Sequence, residues 1–278
     1  MNRRHFILCG VALLVADAPL LAAPPFEPRR FSVEVTGSGP DVILIPGLTA
    51  GRGTWRSTAA AVRGYRYHLL QVSGFAGEPA RGNASGAIVS PLADEIVRYI
   101  EENRLRRPAI IGHSMGGTLA MMIAARRPDL VGKVMVVDML PQPAGLLGQS
   151  AQGIGPLADS LGNFFATPGG RRLFGSLMNT FSPPGSANRN SDPDVVGRAM
   201  RELARIDLTP QLPRLRAPLT VVYASPDDQA AAALDRSFRD AYASARSPRL
   251  VRIDDSGHMV MFDQPTRFRE EVRAFLGR

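Results

Sequence analysis

Pro108-Ala109-Ile110-Ile111-Gly112-His113-Ser114-Met115-Gly116-Gly117 is the stretch that decides the fold. An apolar run stops at a serine set among glycines, and a run of small and apolar residues, Gly117 to Arg127, follows and ends before Pro128. The spacing predicts a strand, a sharp turn and a helix. A serine hydroxyl is a weak nucleophile unless a base takes its proton, and it must stand clear of the backbone to reach a carbonyl carbon. A strained turn achieves that but crowds its neighbours, so the positions two before and two after the serine must be nearly bare, and they are Gly112 and Gly116. In a chain with 27 glycines, G-x-S-x-G also arises as an ordinary glycine turn. The strand before it and the helix after it separate this instance from that one. The same context points the first N–H groups of the helix, Met115 among them, at the serine, where an oxyanion could be held.

Outward from this turn the chain alternates apolar strands with helical segments. Upstream, Phe31–Val35 has the alternation of a half-buried strand, and Gly37–Pro40 forms a turn. Asp41–Ile45 is almost wholly apolar, as strands covered on both faces are, and leads into Pro46-Gly47-Leu48. Loops at the carboxyl ends of parallel strands gather at one edge of the sheet, so this turn is expected beside Ser114, with Leu48 N–H as a second oxyanion donor and Gly47 allowing close approach of a substrate. Thr54–Val62 reads as helix and Tyr67–Val72 as strand, with His68 a structural residue in mid-strand. Ser90-Pro91 predicts a helix start, Ser90 as N-cap and Pro91 at the first helical position. Lys133–Asp138 is a further strand. After a long insertion, Leu219–Tyr223 and Leu250–Ile253 are strands, with helices over Gln229–Tyr242 and Thr266–Leu276. This order implies right-handed parallel crossovers and an α/β, doubly wound, mostly parallel sheet with helices on both faces.

Between residues 139 and 208 the composition shifts to Gly, Pro and Asn, and a helix is expected only over Val195–Ile206. We expect an inserted helical lid there, with the core formed by residues 24–138 and 209–278. Phe164, Phe165, Phe174 and Phe181 are candidate substrate contacts, although any one of them could serve only to pack the lobe.

Composition narrows the function classes. With 45% hydrophobic and 21% charged residues the 278-residue chain is globular. The formal charge of +8 comes from arginine, since Lys133 is the only lysine, and the arginines are scattered without the basic stripe and interleaved aromatics of a nucleic-acid partner. Neither a metal-ligand cluster nor a nucleotide-binding glycine loop is apparent, so no cofactor is expected. Residues 1–23 read as an export signal: Arg3-Arg4 precedes the apolar run Phe6–Ala16 and a small-residue region, and the pattern is similar to a twin-arginine signal. The run is too short for a confident membrane span, and none is expected after processing. Cys9, the only cysteine, lies within it, so no disulfide can form within the chain.

Downstream of the serine, Asp227 and Asp228 follow one strand and His258 the next, giving the chain order Ser, Asp, His. From Phe31 onward the chain resembles the lid-bearing branch of the α/β-hydrolase superfamily, on Ile45-Pro46-Gly47-Leu48, Gly112-His113-Ser114-Met115-Gly116-Gly117, Ala224-Ser225-Pro226-Asp227 and Ser256-Gly257-His258. The resemblance implies Ser114 as nucleophile, His258 as base, Asp227 as acid, and Leu48 and Met115 as oxyanion donors. It departs in having Pro46 where many members carry histidine and Ala224 where many carry glycine; neither removes a catalytic atom. For the acid, Asp254 and Asp255 lie too near His258 to reach round. Asp138 ends a neighbouring strand, a position some relatives use, but opens into the lid, where capping or hinge anchoring is expected. Asp228 suits an N-cap, and Asp227 matches the family position counted from Pro218.

A serine at the elbow points to acyl chemistry on a small-molecule carboxylic ester, with an apolar acyl group suggested by the lid aromatics. C–C or amide hydrolysis, acyl transfer to another acceptor, and a non-catalytic binding role are the alternatives on the same fold. The export reading is tested by replacing Arg3 and Arg4 with lysine in a tagged chain: folded precursor should accumulate in the cytoplasm, and unchanged export would remove the twin-arginine assignment.

Overall fold

The computed structural model describes residues 26–147 and 190–277. They form a seven-stranded sheet in the order β1-β3-β2-β4-β5-β6-β7. The strands are β1 (Phe31–Gly37), β2 (Asp41–Ile45), β3 (Arg66–Val72), β4 (Ala109–His113), β5 (Lys133–Val137), β6 (Leu219–Ser225) and β7 (Arg249–Asp254). Only β1 is antiparallel, pairing with β3 from Phe31 opposite Val72 to Gly37 opposite Arg66. The other pairings are parallel, as the βαβ pattern requires. The helices are α1 (Gly53–Ala61), α2 (Val89–Glu102), α3 (Met115–Arg126), α4 (Pro193–Arg205), α5 (Asp228–Ala241), α6 (Val260–Asp263) and α7 (Pro265–Leu276).

The period of two along each strand sorts side chains onto two cores. Ile43 and Ile45 of β2 join Ile110, Val134, Val136 and Val221 against α2, α3 and α5. Val42 and Leu44 join Ile111, Met135, Val137 and Val222 against Trp55 of α1 and Phe268, Val272 and Phe275 of α7. Helix α3 is buried from Met115 to Ala125, which explains a sequence of Gly, Ala, Met, Leu and Ile with almost no polar face. The doubly wound reading of the sequence holds, with strand ends within two residues of those expected.

Two details differ from expectation. Helix α2 starts at Val89 rather than after a Ser90 cap. Its first N–H groups are met by the Glu202 carboxylate of α4, with Ile88 N at 2.6 Å and Val89 N at 3.0 Å, while Ser90 Oγ accepts from Arg126 at 2.8 Å. A carboxylate at a helix N-terminus satisfies orphan donors and complements the dipole, and here it comes from more than a hundred residues away. The short helix α6 was not legible as an element. The expected lid aromatics Phe164, Phe165, Phe174 and Phe181 lie outside the described residues.

The segment that enters α4 is bolted to the loops after β2 and β3. Asp192 caps α4 by accepting from Asp194 N (2.9 Å) and Val195 N (3.2 Å), and Pro193 opens the helix. Asp192 N donates to Gly74 O (2.7 Å), Ala76 N donates to Ser191 Oγ (2.9 Å) and Ser191 Oγ donates to Thr49 O (3.2 Å). Among the described residues no helix is long and apolar enough to cross a membrane.

The order of the strands reverses at β2 and β4, so the loops after these two strands diverge around a crevice at the carboxyl edge of the sheet. The closeness of the two loops depends on Gly116, and the tightness of the elbow itself on Gly112. A Cβ at Gly116 would stand 2.8 Å from Pro46 O and nearer still to Ile45 O, and one at Gly112 would stand 2.6 Å from Gly117 N. In both cases the obstacle is backbone. Gly112→Ala should therefore lower unfolding stability by at least about 2–3 kcal/mol, read as a lower guanidinium midpoint at unchanged slope.

Candidate active site

Ser114 sits at φ 53° and ψ −122°, outside the region that L-residues favour, at the junction of β4 and α3. The strain is held by hydrogen bonds on both sides: Ser114 N donates to Val137 O (2.9 Å), while Gly117 N (2.7 Å) and Thr118 N (3.2 Å) donate to Ser114 O. Gly47 lies against this turn, because a Cβ there would fall 3.1 Å from Ser114 Cβ and 2.9 Å from His113 Nδ1. Leu48 follows it in a turn closed by Ala50 N donating to Gly47 O (3.2 Å). Met115 is the first residue of α3, and its N–H is one of the orphan donors at that helix start. The fold thus brings Gly47 against Ser114 and Met115 next to it at the start of α3, with Leu48 following Gly47 in the turn.

His258 lies on the loop after β7, its side chain 45% exposed. Hydrogen bonds to its backbone fix this loop: Ser256 N donates to Ser225 O (3.1 Å), Gly257 N to the Asp263 side chain at Oδ2 (2.9 Å), and the Gln264 side-chain Nε2 to Asp255 O (3.0 Å). Its ring Nδ1–H donates to Asp138 Oδ2 at 2.7 Å. The other carboxylate oxygen of Asp138 accepts Ala224 N (2.9 Å), and Asp138 N donates to Val222 O (2.7 Å). Asp138 itself has φ 50°, so the chain turns sharply out of β5 and presents the carboxylate sideways toward β6 and β7. Behind it, the buried Tyr242 hydroxyl donates to Met139 O at 2.7 Å and anchors the next residue. Burial raises the Tyr242 phenol well above its ordinary value, with the neighbouring Asp138 charge adding to the effect, so this hydroxyl stays protonated as a donor.

The sequence expectation for the acid is corrected by this geometry. Asp227 is exposed, with extended backbone (φ −159°, ψ 170°), and its carboxylate accepts Ala230 N at 2.8 Å as the N-cap of α5. The capping role expected of Asp228 belongs to Asp227, and the carboxylate that faces His258 belongs to Asp138. Asp138 ends β5, and its side chain bonds His258 Nδ1 and Ala224 N.

His113, which the sequence reading treated only as the variable residue of the motif, is the residue it missed. It is fully buried, its Nε2–H donates to His258 O at 2.8 Å, and its ring packs on that of His258 with centroids 4.6 Å apart. Its signal was a polar residue closing an otherwise apolar strand. Elsewhere, His68 is the structural residue expected: its Nε2 bonds Asp41 Oδ1 (2.9 Å) and its Nδ1 bonds the Tyr99 hydroxyl (2.7 Å), at the opposite end of the sheet. Among the described residues no group of three or more His, Cys, Asp or Glu side chains could hold a metal ion.

Burial, and then the neighbouring His258, push the His113 imidazole down to about 3. The unfolded chain therefore binds a proton below about pH 6.5 that the folded protein refuses, so His113 costs stability as the pH falls through that window. From pH 6.5 to 5 the cost is about 2 kcal/mol. Chemical denaturation at both pH values should show His113→Phe losing less stability than the unsubstituted protein by about that amount.

Residues 42–271 match the family model described as the alpha/beta hydrolase family. Among curated relatives, a pimeloyl-[acyl-carrier protein] methyl ester esterase of Aeromonas hydrophila is 24% identical over 267 residues, covering 88% of this chain and 99% of that protein. Among solved structures, a thermophilic esterase from Thermogutta terrifontis superposes with a TM-score of 0.71 at 20% identity, covering 88% of this chain and 92% of that one. An esterase from Exiguobacterium antarcticum gives 0.68 at 21% identity, covering 89% and 96%. With the family model spanning the elbow, both flanking loops and the His258 loop, the chain belongs to the α/β-hydrolase family.

Proposed function

We propose that the protein is a serine hydrolase of carboxylic esters that works through an acyl-enzyme on Ser114. One observation carries the reading: the His258 Nδ1–H to Asp138 hydrogen bond at 2.7 Å, made on a loop packed against the Ser114 turn. That bond fixes the tautomer in which Nε2 holds a lone pair, as a general base requires. The strained serine and the Gly47 turn against it supply the other parts of an acyl-transfer site.

The steps follow from the groups present. Ser114 Oγ attacks the ester carbonyl carbon as its proton passes to His258 Nε2, forming the Oγ–carbon bond of a tetrahedral intermediate while the carbonyl π pair moves onto its oxygen. The N–H groups of Leu48 and Met115 hold the oxyanion, the latter aided by the positive end of α3. The imidazolium, balanced by Asp138, returns the proton to the departing alkoxide and leaves an acyl-serine. Water then repeats the sequence with His258 as base and releases the acid.

The substrate we propose is a small ester with an apolar acyl group. The name of the Aeromonas relative specifies a pimeloyl-[acyl-carrier protein] methyl ester, and ester cleavage is the chemistry common to that relative and to the two esterases of similar fold. The proposed site of action is the periplasm or, if the protein is secreted, the outside of the cell, on the strength of Arg3-Arg4 and the apolar run after it.

A fluorophosphonate should label Ser114 in the folded protein and fail to label Ser114→Ala. On a p-nitrophenyl ester series, Asp138→Asn should lower kcat by orders of magnitude, about 10⁴-fold where the tautomer is lost outright, while Asp227→Asn leaves kcat within about threefold. Absence of both labelling and ester turnover in the folded chain would overturn the proposal.

A further inference from the structure

We infer that His113 is a positioning residue: its Nε2–H ties the backbone of the base-bearing loop to the strand that delivers the nucleophile. The inference rests on the catalytic roles proposed for Ser114 and His258.

His258 is nearly half exposed, so packing of its own ring does little to hold it. The hydrogen bonds of Ser256 and Gly257 fix the loop before it, and the Asp138 carboxylate fixes one ring nitrogen. What fixes the backbone of His258 itself is the 2.8 Å bond from His113 to its carbonyl oxygen, across 145 residues of chain. The donor belongs to the residue immediately before Ser114, so nucleophile and base are referred to one rigid point at the end of β4. The two rings pack at 4.6 Å with a 49° tilt, adding a second contact to the same link.

The third side of the ring faces the turn proposed to hold the oxyanion. Gly47 stands so close to Nδ1 that a Cβ would fall 2.9 Å from it and 3.4 Å from Cε1. His113 is therefore wedged between the β2 turn and the His258 loop, and a change in its size or hydrogen bonding shifts both relative to Ser114. The carbonyl of His258 accepts only, so Nε2 must carry the proton and Nδ1 the lone pair. Nδ1 is buried and, among the described residues, meets no donor. A second proton there would lie against Gly47 with no acceptor, which agrees with the strongly lowered basicity of this ring and keeps it a neutral, one-tautomer strut at any pH where the enzyme would work.

Two variants of the full chain separate positioning from core filling. His113→Phe keeps a flat ring and loses the donor, while His113→Gln loses the ring and offers an amide N–H at similar reach. On p-nitrophenyl butyrate, His113→Phe should lower kcat by about a hundredfold, the scale of an ångström-sized misplacement, with KM changed by less than about threefold. The fluorophosphonate labelling rate should fall in parallel, and His113→Gln should recover at least about tenfold of the loss while both variants melt cooperatively. If His113→Phe does not fold, His113→Asn, too short to reach the carbonyl, takes its place in the comparison with Gln. The inference is overturned if the donorless variant keeps kcat within about threefold of the unsubstituted protein, or if the folded Gln variant is no better than it. An unsubstituted protein that neither labels nor turns over esters overturns the proposed function instead, so the two failures are distinguishable.

Discussion

The backbone at Ser114, turned to φ 53° and ψ −122°, is the constraint on which the rest of this structure depends. A conformation of that kind costs on the order of 1–3 kcal/mol and survives only where its surroundings over-determine it. Here β5 holds the serine N–H, the first turn of α3 holds its carbonyl, Gly116 lets the β2 turn close on it, and Gly112 makes room for the first turn of α3. Each of those demands is visible as a choice of residue: Gly112, Gly116, Gly117, and a helix α3 with almost no polar side chains because both it and the strand beneath it are buried.

Around that point the site is assembled from four separate strand ends, and backbone hydrogen bonds do more of the positioning than side-chain packing. Asp138 leaves β5 with a positive φ and is gripped through its own N–H and through Ala224 N. The loop carrying His258 is held by Ser225, Asp263 and Gln264. In the proposed mechanism a histidine left half exposed in this way can pass the Ser114 proton to a leaving alkoxide while its second nitrogen stays committed to a carboxylate that is largely buried. Residues 191–202 contribute in the same manner, capping α2 through Glu202 and pinning the loop after β3 through Asp192 and Ser191.

Much of this was legible in the residue pattern, and the part that was not has a common cause. The apolar runs of β2, β4, β5 and β6 declare themselves because each is buried on both faces, and the elbow declares itself because glycine is required at fixed offsets from the serine. The acid did not. Asp138 and Asp227 both follow strands, both stand near a helix or an insertion, and which of them reaches His258 is decided by the backbone rotation after β5, a long-range matter that short spacing does not encode. The i to i+3 relation of Asp227 to Ala230 was the local clue that Asp227 had another task. The same limit hid the cap of α2, since Ser90-Pro91 is a sound helix start by local chemistry and was overridden by a carboxylate from α4. His113 was passed over because a variable position in a motif carries no periodic signal, although a histidine closing a fully buried strand must have a partner.

The central claim is that Asp138 orients the base, and the proton it shares with His258 reports on this directly. In histidine-¹⁵N-labelled protein, a low-field resonance on His258 Nδ1, assigned by its loss in His258→Gln, should be present in the unsubstituted protein and in Asp227→Asn and absent from Asp138→Asn. A resonance that survives in Asp138→Asn and disappears in Asp227→Asn would contradict the account.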